Sequence, residues 1–184
     1  MPHRTWLILL AAVIACVAQD EPSILAPPNN AVFEKGPVRF IARVENGAQV
    51  RLDGKPVAGE SPVPGMVTIE MKLEPGPHEV AIGKETVRFF VGPGAPAGFK
   101  PFKFHPPMAD CNTCHAVKNG EWAFQKASLV TLCSQCHDKE KFPAKHTHVM
   151  GVLADCQICH NPHGSTEVGH MKRAKDLACK QCHN

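Results

Sequence analysis

The sequence predicts two fold classes along one chain. An N-terminal all-β module, a small Ig-like sandwich over residues 20–91, precedes a C-terminal module of short helices and loops over 101–184. Three observations carry this division. Residues 20–98 alternate apolar and polar side chains with a period of two and hold no Cys. A Gly/Pro-rich stretch at 92–100 interrupts the pattern. The last 74 residues then write Cys-x-x-Cys-His four times, with little apolar content left for an ordinary core.

Period-two alternation is the mark of a half-buried strand. Around Val38–Glu45, charges at Arg39, Arg43 and Glu45 alternate with Val38, Phe40, Ala42 and Val44. Val67, Ile69, Met71 and Leu73 face one way, and Thr68, Glu70, Lys72 and Glu74 the other. Val80, Ile82, Val87, Phe89 and Val91 continue the theme. Asp53-Gly54 suits a tight hairpin because Gly tolerates positive φ, and Pro75-Gly76 and Gly83-Lys84 mark further turns. Several short strands in so short a stretch fit a sandwich. The Gly92–Gly98 run of Gly, Pro and Ala is expected to be a linker between the modules.

The four motifs are Cys111/Cys114/His115, Cys133/Cys136/His137, Cys156/Cys159/His160 and Cys179/Cys182/His183. Each is an attachment signature for c-type haem. Two thiols add across the porphyrin vinyls, and the following His ligates iron. On a helical turn, positions i, i+3 and i+4 share a face, so one macrocycle meets all three side chains. Zinc ribbons and a disulfide framework compete for paired cysteines. Neither accounts for a His after every pair. Four covalent haem c groups are therefore expected, and they would supply the core of the C-terminal module. Helical turns are expected at 125–132 and 172–177.

Beyond the four proximal histidines, this module holds His105, His146, His148, His163 and His170. Five candidates for four open iron positions predict bis-His ligation throughout. His105, His148, His163 and His170 are the candidate distal ligands, with His146 the alternate for His148. Met108, Met150 and Met171 are competing ligands that would raise the potential. Spacing does not say which distal His serves which iron.

The N-terminus reads as an export signal. Residues 1–15 pair a weakly basic start, Met1–Arg4, with an apolar run too short to span a bilayer. Eight of nine cysteines belong to the motifs. The ninth, Cys16, follows Val13-Ile14-Ala15 in a sequence that resembles a lipobox. It is the expected lipidation site, with ordinary signal cleavage after Ala15 or Ala18 the alternative. A lipid at Cys16 would anchor the chain at the periplasmic side of the outer membrane or the cell surface. Without it the chain would be soluble in the periplasm.

Net charge is +3, with residues 19–98 at eight Lys/Arg against ten Asp/Glu and residues 99–184 at eleven against seven. This is not the strong basic footprint of a nucleic-acid binder. The excess around Lys139, Lys141, Lys145, Lys172, Arg173 and Lys175 would offset haem propionates or form a solvated surface.

The haem module repeats internally. Ala109-Asp110-Cys111 recurs as Ala154-Asp155-Cys156 45 residues later, and each half ends in a second motif containing Gln-Cys-His. His105 and His148 precede the halves. With His148-Val149-Met150-Gly151 and Cys159-His160-Asn161-Pro162-His163-Gly164-Ser165, the chain resembles the doubled-CxxCH family of multihaem c-type cytochromes over about 105–183, as units near 105–137 and 148–183. The first half departs from the pattern, with Ala116-Val117-Lys118 where Asn161-Pro162-His163 stands in the second. The resemblance implies a periplasmic or surface respiratory electron carrier working with redox partner proteins, such as a larger membrane or multihaem complex. A nitrite- or hydroxylamine-type reductase, or its electron-donating subunit, is the enzymatic alternative and needs an iron left open to substrate. A subunit of a cytochrome filament is the structural alternative. No Ser-His-Asp set, phosphate loop or carboxylate pair indicates other catalysis.

Overall fold

The computed structural model describes residues 23–34, 36–44, 48–106, 110–142, 148 and 155–183. The export signal, Cys16, His146, Met108 and Met150 lie outside them.

Among the described residues nine strands build the N-terminal part: β1 Ser23–Ala26, β2 Ala31–Phe33, β3 Val38–Arg43, β4 Val50–Leu52, β5 Lys55–Pro56, β6 Met66–Met71, β7 Gly76–Ile82, β8 Glu85–Val91 and β9 Lys100–Pro101. They form two sheets, ordered β1-β3-β6 and β5-β4-β7-β8-β2-β9. The alternation read from the sequence sets which side chains meet between them. Val38, Phe40 and Ile69 from the first sheet, and Val80, Ile82, Val87, Phe89 and Val91 from the second, are all buried in one cluster. Phe40 and Phe89 cross the interface edge to face, with centroids 5.3 Å apart. Full burial of an aromatic such as Phe89 contributes roughly 1.5–3 kcal/mol.

The Asp53-Gly54 turn joins β4 to β5 with both residues at positive φ, 49° and 76°. That is the twist a two-residue hairpin requires. Asp53 also accepts the Glu79 amide at 2.9 Å and the His78 Nδ1–H at 2.8 Å. His78 donates from Nε2 to the Glu74 carbonyl at 2.8 Å and stacks on Phe89.

The Gly/Pro stretch does not hold the modules apart. Residues 92–99 bend back, and β9 pairs with β2 in parallel, so the chain re-enters the sandwich before reaching the haem module. Phe102 joins the core cluster, and Phe33, Phe102 and Phe104 pack ring on ring. Lys103 then exchanges two 3.0 Å backbone bonds with Ser165, and Lys100 pairs with Glu167 at 2.5 Å. Three aromatic rings and a backbone bridge explain why Gly and Pro make a turn here: the apolar surface after the stretch belongs to the sandwich.

In the C-terminal part the regular elements are short: a hairpin of β10 His115–Lys118 and β11 Glu121–Phe124, helix α1 Leu129–Cys133, helix α2 Lys175–Cys179 and several 3₁₀ turns. The helices begin four and three residues later than the sequence suggests, at Leu129 and Lys175. Ser128 caps α1 by accepting the Thr131 amide on its hydroxyl, which starts that helix at Leu129. Each helix runs directly into a Cys-x-x-Cys-His motif.

Candidate haem-binding site

The four attachment turns come in two kinds. Cys111–Thr113 and Cys156–Ile158 are 3₁₀ turns. Asp110 caps the first by accepting the Asn112 amide at 2.9 Å, and Asp155 caps the second through Gln157 at 2.8 Å. These are the Asp residues of the repeated Ala-Asp-Cys. The other two motifs leave the C-terminal ends of α1 and α2, where the His amide donates to the first Cys carbonyl, His137 to Cys133 at 2.9 Å and His183 to Cys179 at 3.0 Å. His160 makes the same bond to Cys156 at 3.0 Å. Such a closed turn puts two thiols and an imidazole on one side, as thioether attachment requires. His115 instead opens strand β10.

None of the eight motif cysteines is paired in a disulfide. Among the described residues no three His, Cys, Asp or Glu side chains gather as a direct metal-ligand set, which a tetrahedral zinc site needs. Burial, with Cys156, Cys114 and Asp155 close by, pushes the Cys133 thiol up to about 11. Burial first, then Cys136, raises Cys114. Three attachment turns are therefore neighbours.

The histidines meet in pairs. Metal–imidazole bonds are roughly 2.0 Å long, so two imidazoles trans on one iron have ring centroids roughly 6 Å apart. His115 and His163 lie 6.2 Å apart with planes 14° from parallel. His105 and His137 lie 5.8 Å apart, and His148 and His183 also 5.8 Å, at 20°. Each pair joins one proximal to one distal candidate from elsewhere in the chain. His163, from the second half, faces His115 of the first. His160 donates Nδ1–H to the Gly169 carbonyl at 2.7 Å. That is the bond that fixes a ligating tautomer and leaves Nε2 for the metal.

His170 stands edge-on to His105 at 5.3 Å. It is held in the left-handed region at φ 55° directly after Gly169 at φ 68°, a conformation that costs a non-glycine residue roughly 1–2 kcal/mol. Its Nδ1 and that of His115 are buried without a hydrogen-bond partner. The Met171 backbone bridges that of His160.

Burial favours the neutral form, the one that binds iron, at His163, His115, His105 and His170. It pushes His163 down to about 4, helped by His115 and His105. Burial lowers His115. Burial, then His170 and His137, lowers His105. His170 falls through burial and then His160, Lys103 and His137. The paired rings, unbridged cysteines and capped turns fit covalent haem. Of the basic residues expected near propionates, Lys172, Arg173 and Lys175 are exposed, Lys141 pairs with Asp138 at 3.6 Å, and Lys145 is outside the described residues.

The hairpin β10–β11 is a functional element missing from the sequence reading. Trp122 on β11 stacks on the His115 ring at 4.1 Å and 17°, and Phe124 lies 5.2 Å from it. Asn119 and Gly120, at φ 55° and 79°, form the turn. Asn-Gly between short β segments was the signal available. This hairpin occupies the place where the first half departs from Asn-Pro-His.

A family model described as "Doubled CXXCH motif" matches residues 148–184. No curated protein matches the chain. Among solved structures, fibronectin(III)-like modules of Clostridium thermocellum CbhA align with 16% identity over 39% of this chain and 96% of theirs, TM-score 0.30. Tandem Ig repeats of Dlar align with 21% identity over 46% of this chain and 52% of theirs, TM-score 0.27.

Proposed function

We propose that this chain, whose residues 148–184 match a doubled CXXCH motif, is a tetrahaem electron carrier with covalent haem c. The carrying observation is the pairing of His115 with His163, His105 with His137 and His148 with His183 at centroid distances of 5.8–6.2 Å. Two imidazoles per iron leave no position for a substrate, which favours transfer over reduction of a bound molecule. His170 is the remaining candidate for the third iron, opposite His160, and His146 stays the alternate for His148. Bound haem supplies a one-electron couple whose potential follows axial ligation, hydrogen bonding and burial.

This chain's residues do the rest. Cys111 through Cys182 fix each macrocycle. Gly169 orients the His160 ring, and Trp122 with Phe124 shields His115 from water. Clustering of the Cys114, Cys133, Cys136 and Cys156 thiols brings three haem edges together, as rapid transfer requires. No described helix is long and apolar enough to cross a membrane. Lipid at Cys16 after export would place the carrier at the outer membrane or cell surface, between redox partner proteins.

Electron paramagnetic resonance of the oxidised protein tests the reading. Low-spin ferric signals alone, unchanged by nitrite, are expected. A high-spin resting signal that shifts on nitrite addition would favour the reductase instead.

A further inference from the structure

The outer face of the β1-β3-β6 sheet is unlike an ordinary solvent face. Cross-strand partners share a face, so the register Arg39↔Glu70 and Ile41↔Thr68 puts these four side chains together. Phe40↔Ile69 alternates with them on the core side. Three of the four outward residues are polar. Ile41 breaks the pattern and is only 6% exposed. Arg39 donates from Nε to Glu70 at 2.8 Å.

A cavity of about 800 Å³ opens over the face. Arg39, Ile41, Thr68 and Glu70 form one wall, and Cys111 and Trp122 stand in its lining. Cofactor clefts run roughly 300–1,000 Å³. Cys111 is the first attachment cysteine of the first motif. Trp122 stacks on that motif's iron ligand, His115, and also packs against the sandwich core. The β10–β11 hairpin thus reaches from His115 to the sheet, and the thiol opens into the space between.

We propose that this outer sheet face is a wall of the first haem's site, so that the β sandwich sets the polarity around that one haem. The proposal rests on the reading that Cys111 and Cys114 carry haem. Ile41 supplies an apolar patch of that wall, while Arg39, Glu60, Glu70 and Asp110 place charged groups around the same space. Haem potential follows burial and nearby charge. The first haem is then tuned apart from the other three, and the sandwich is a part of the redox site.

Two measurements on the full-length holoprotein test this. In the reduced, diamagnetic protein with 13C-labelled isoleucine methyls, the Ile41 signal, assigned with Ile41→Val, is expected to be displaced by the porphyrin ring current. It should also show a nuclear Overhauser effect to a haem meso proton. In spectroelectrochemical titrations, Thr68→Lys should raise and Thr68→Glu lower the same single potential, leaving the others in place. An Ile41 methyl at an ordinary shift with no haem contact, in a protein whose mass shows four haems, would overturn the wall while leaving the haem reading intact. So would Thr68 variants of opposite charge that move no potential, or move one in the same direction. A mass lacking the haem on Cys111 would instead remove the premise.

Discussion

Replacing Gly164 by Ala should damage the chain where its two parts are joined. Gly164 is buried at φ +121°, a region that L side chains rarely adopt. A Cβ there would stand 2.5 Å from Phe102 Cζ, 2.7 Å from the Lys103 carbonyl oxygen and 3.1 Å from Phe104 Cα. The ring end can yield, but the other two atoms are backbone held by the Lys103–Ser165 bridge. Backbone strain costs roughly 1–3 kcal/mol, and overpacking a further 1–3 kcal/mol. Partial relaxation leaves about 2–4 kcal/mol. For a chain of this size that lowers the melting midpoint by roughly 4–16 °C. His163, the preceding residue, should shift with it and weaken ligation opposite His115. Circular dichroism melting, with the low-spin signal read at rest, is the assay. A Gly164→Ala protein with the parental midpoint and unchanged low-spin haem would refute both the close approach and its link to His163.

His78 gives a pH signature in the sandwich: burial alone would lower its pKa, but the Glu74 carbonyl and the Asp53 carboxylate outweigh that and raise it above 6.5. Its contribution is therefore complete below 6.5 and fades as pH rises through the raised value, so the stability gap between parent and His78→Gln should narrow on going alkaline, measured by urea unfolding. Burial opposes the shift of Asp53 as well, yet the His78 hydrogen bond and Glu79 amide hold it below 3.8, so this contribution is present above 3.8 and is lost only as pH falls through the lowered value. Ser128→Ala removes the α1 cap and should cost about 1 kcal/mol, visible as faster exchange of the Thr131 amide, while unchanged exchange would discount the cap. His163→Met should raise one haem potential and leave the rest, and a potential that fails to move would break the His115–His163 assignment.

The strands of the sandwich were legible because alternation is a local property. Val38 to Val44 and Val67 to Leu73 declare which face is buried, and Asp53-Gly54 declares its turn. Ile41 is the exception inside that pattern, an apolar residue between the charges of Arg39 and Arg43. The attachment cysteines were legible because their chemistry demands fixed spacing, and the repeated Ala-Asp-Cys reflects the caps at Asp110 and Asp155. The pairing of histidines was not legible. His163 meets His115 across 48 residues, and only the fold brings them within 6.2 Å. The return of the chain through β9 was hidden because a Gly/Pro run reads the same whether it spaces two domains or turns one strand onto another. Phe99, Phe102 and Phe104, just past it, were the sign that the sandwich had not ended.

Covalent haem at all four motifs is the centre of this account, and intact mass with a reduced haemochrome spectrum tests it most directly. The expected result is the mass of the exported chain plus four haem groups, with no titratable thiol among Cys111 to Cys182 and a spectrum of matching intensity. A protein folded and exported with fewer than four haems, or with motif thiols free to alkylate, would contradict it.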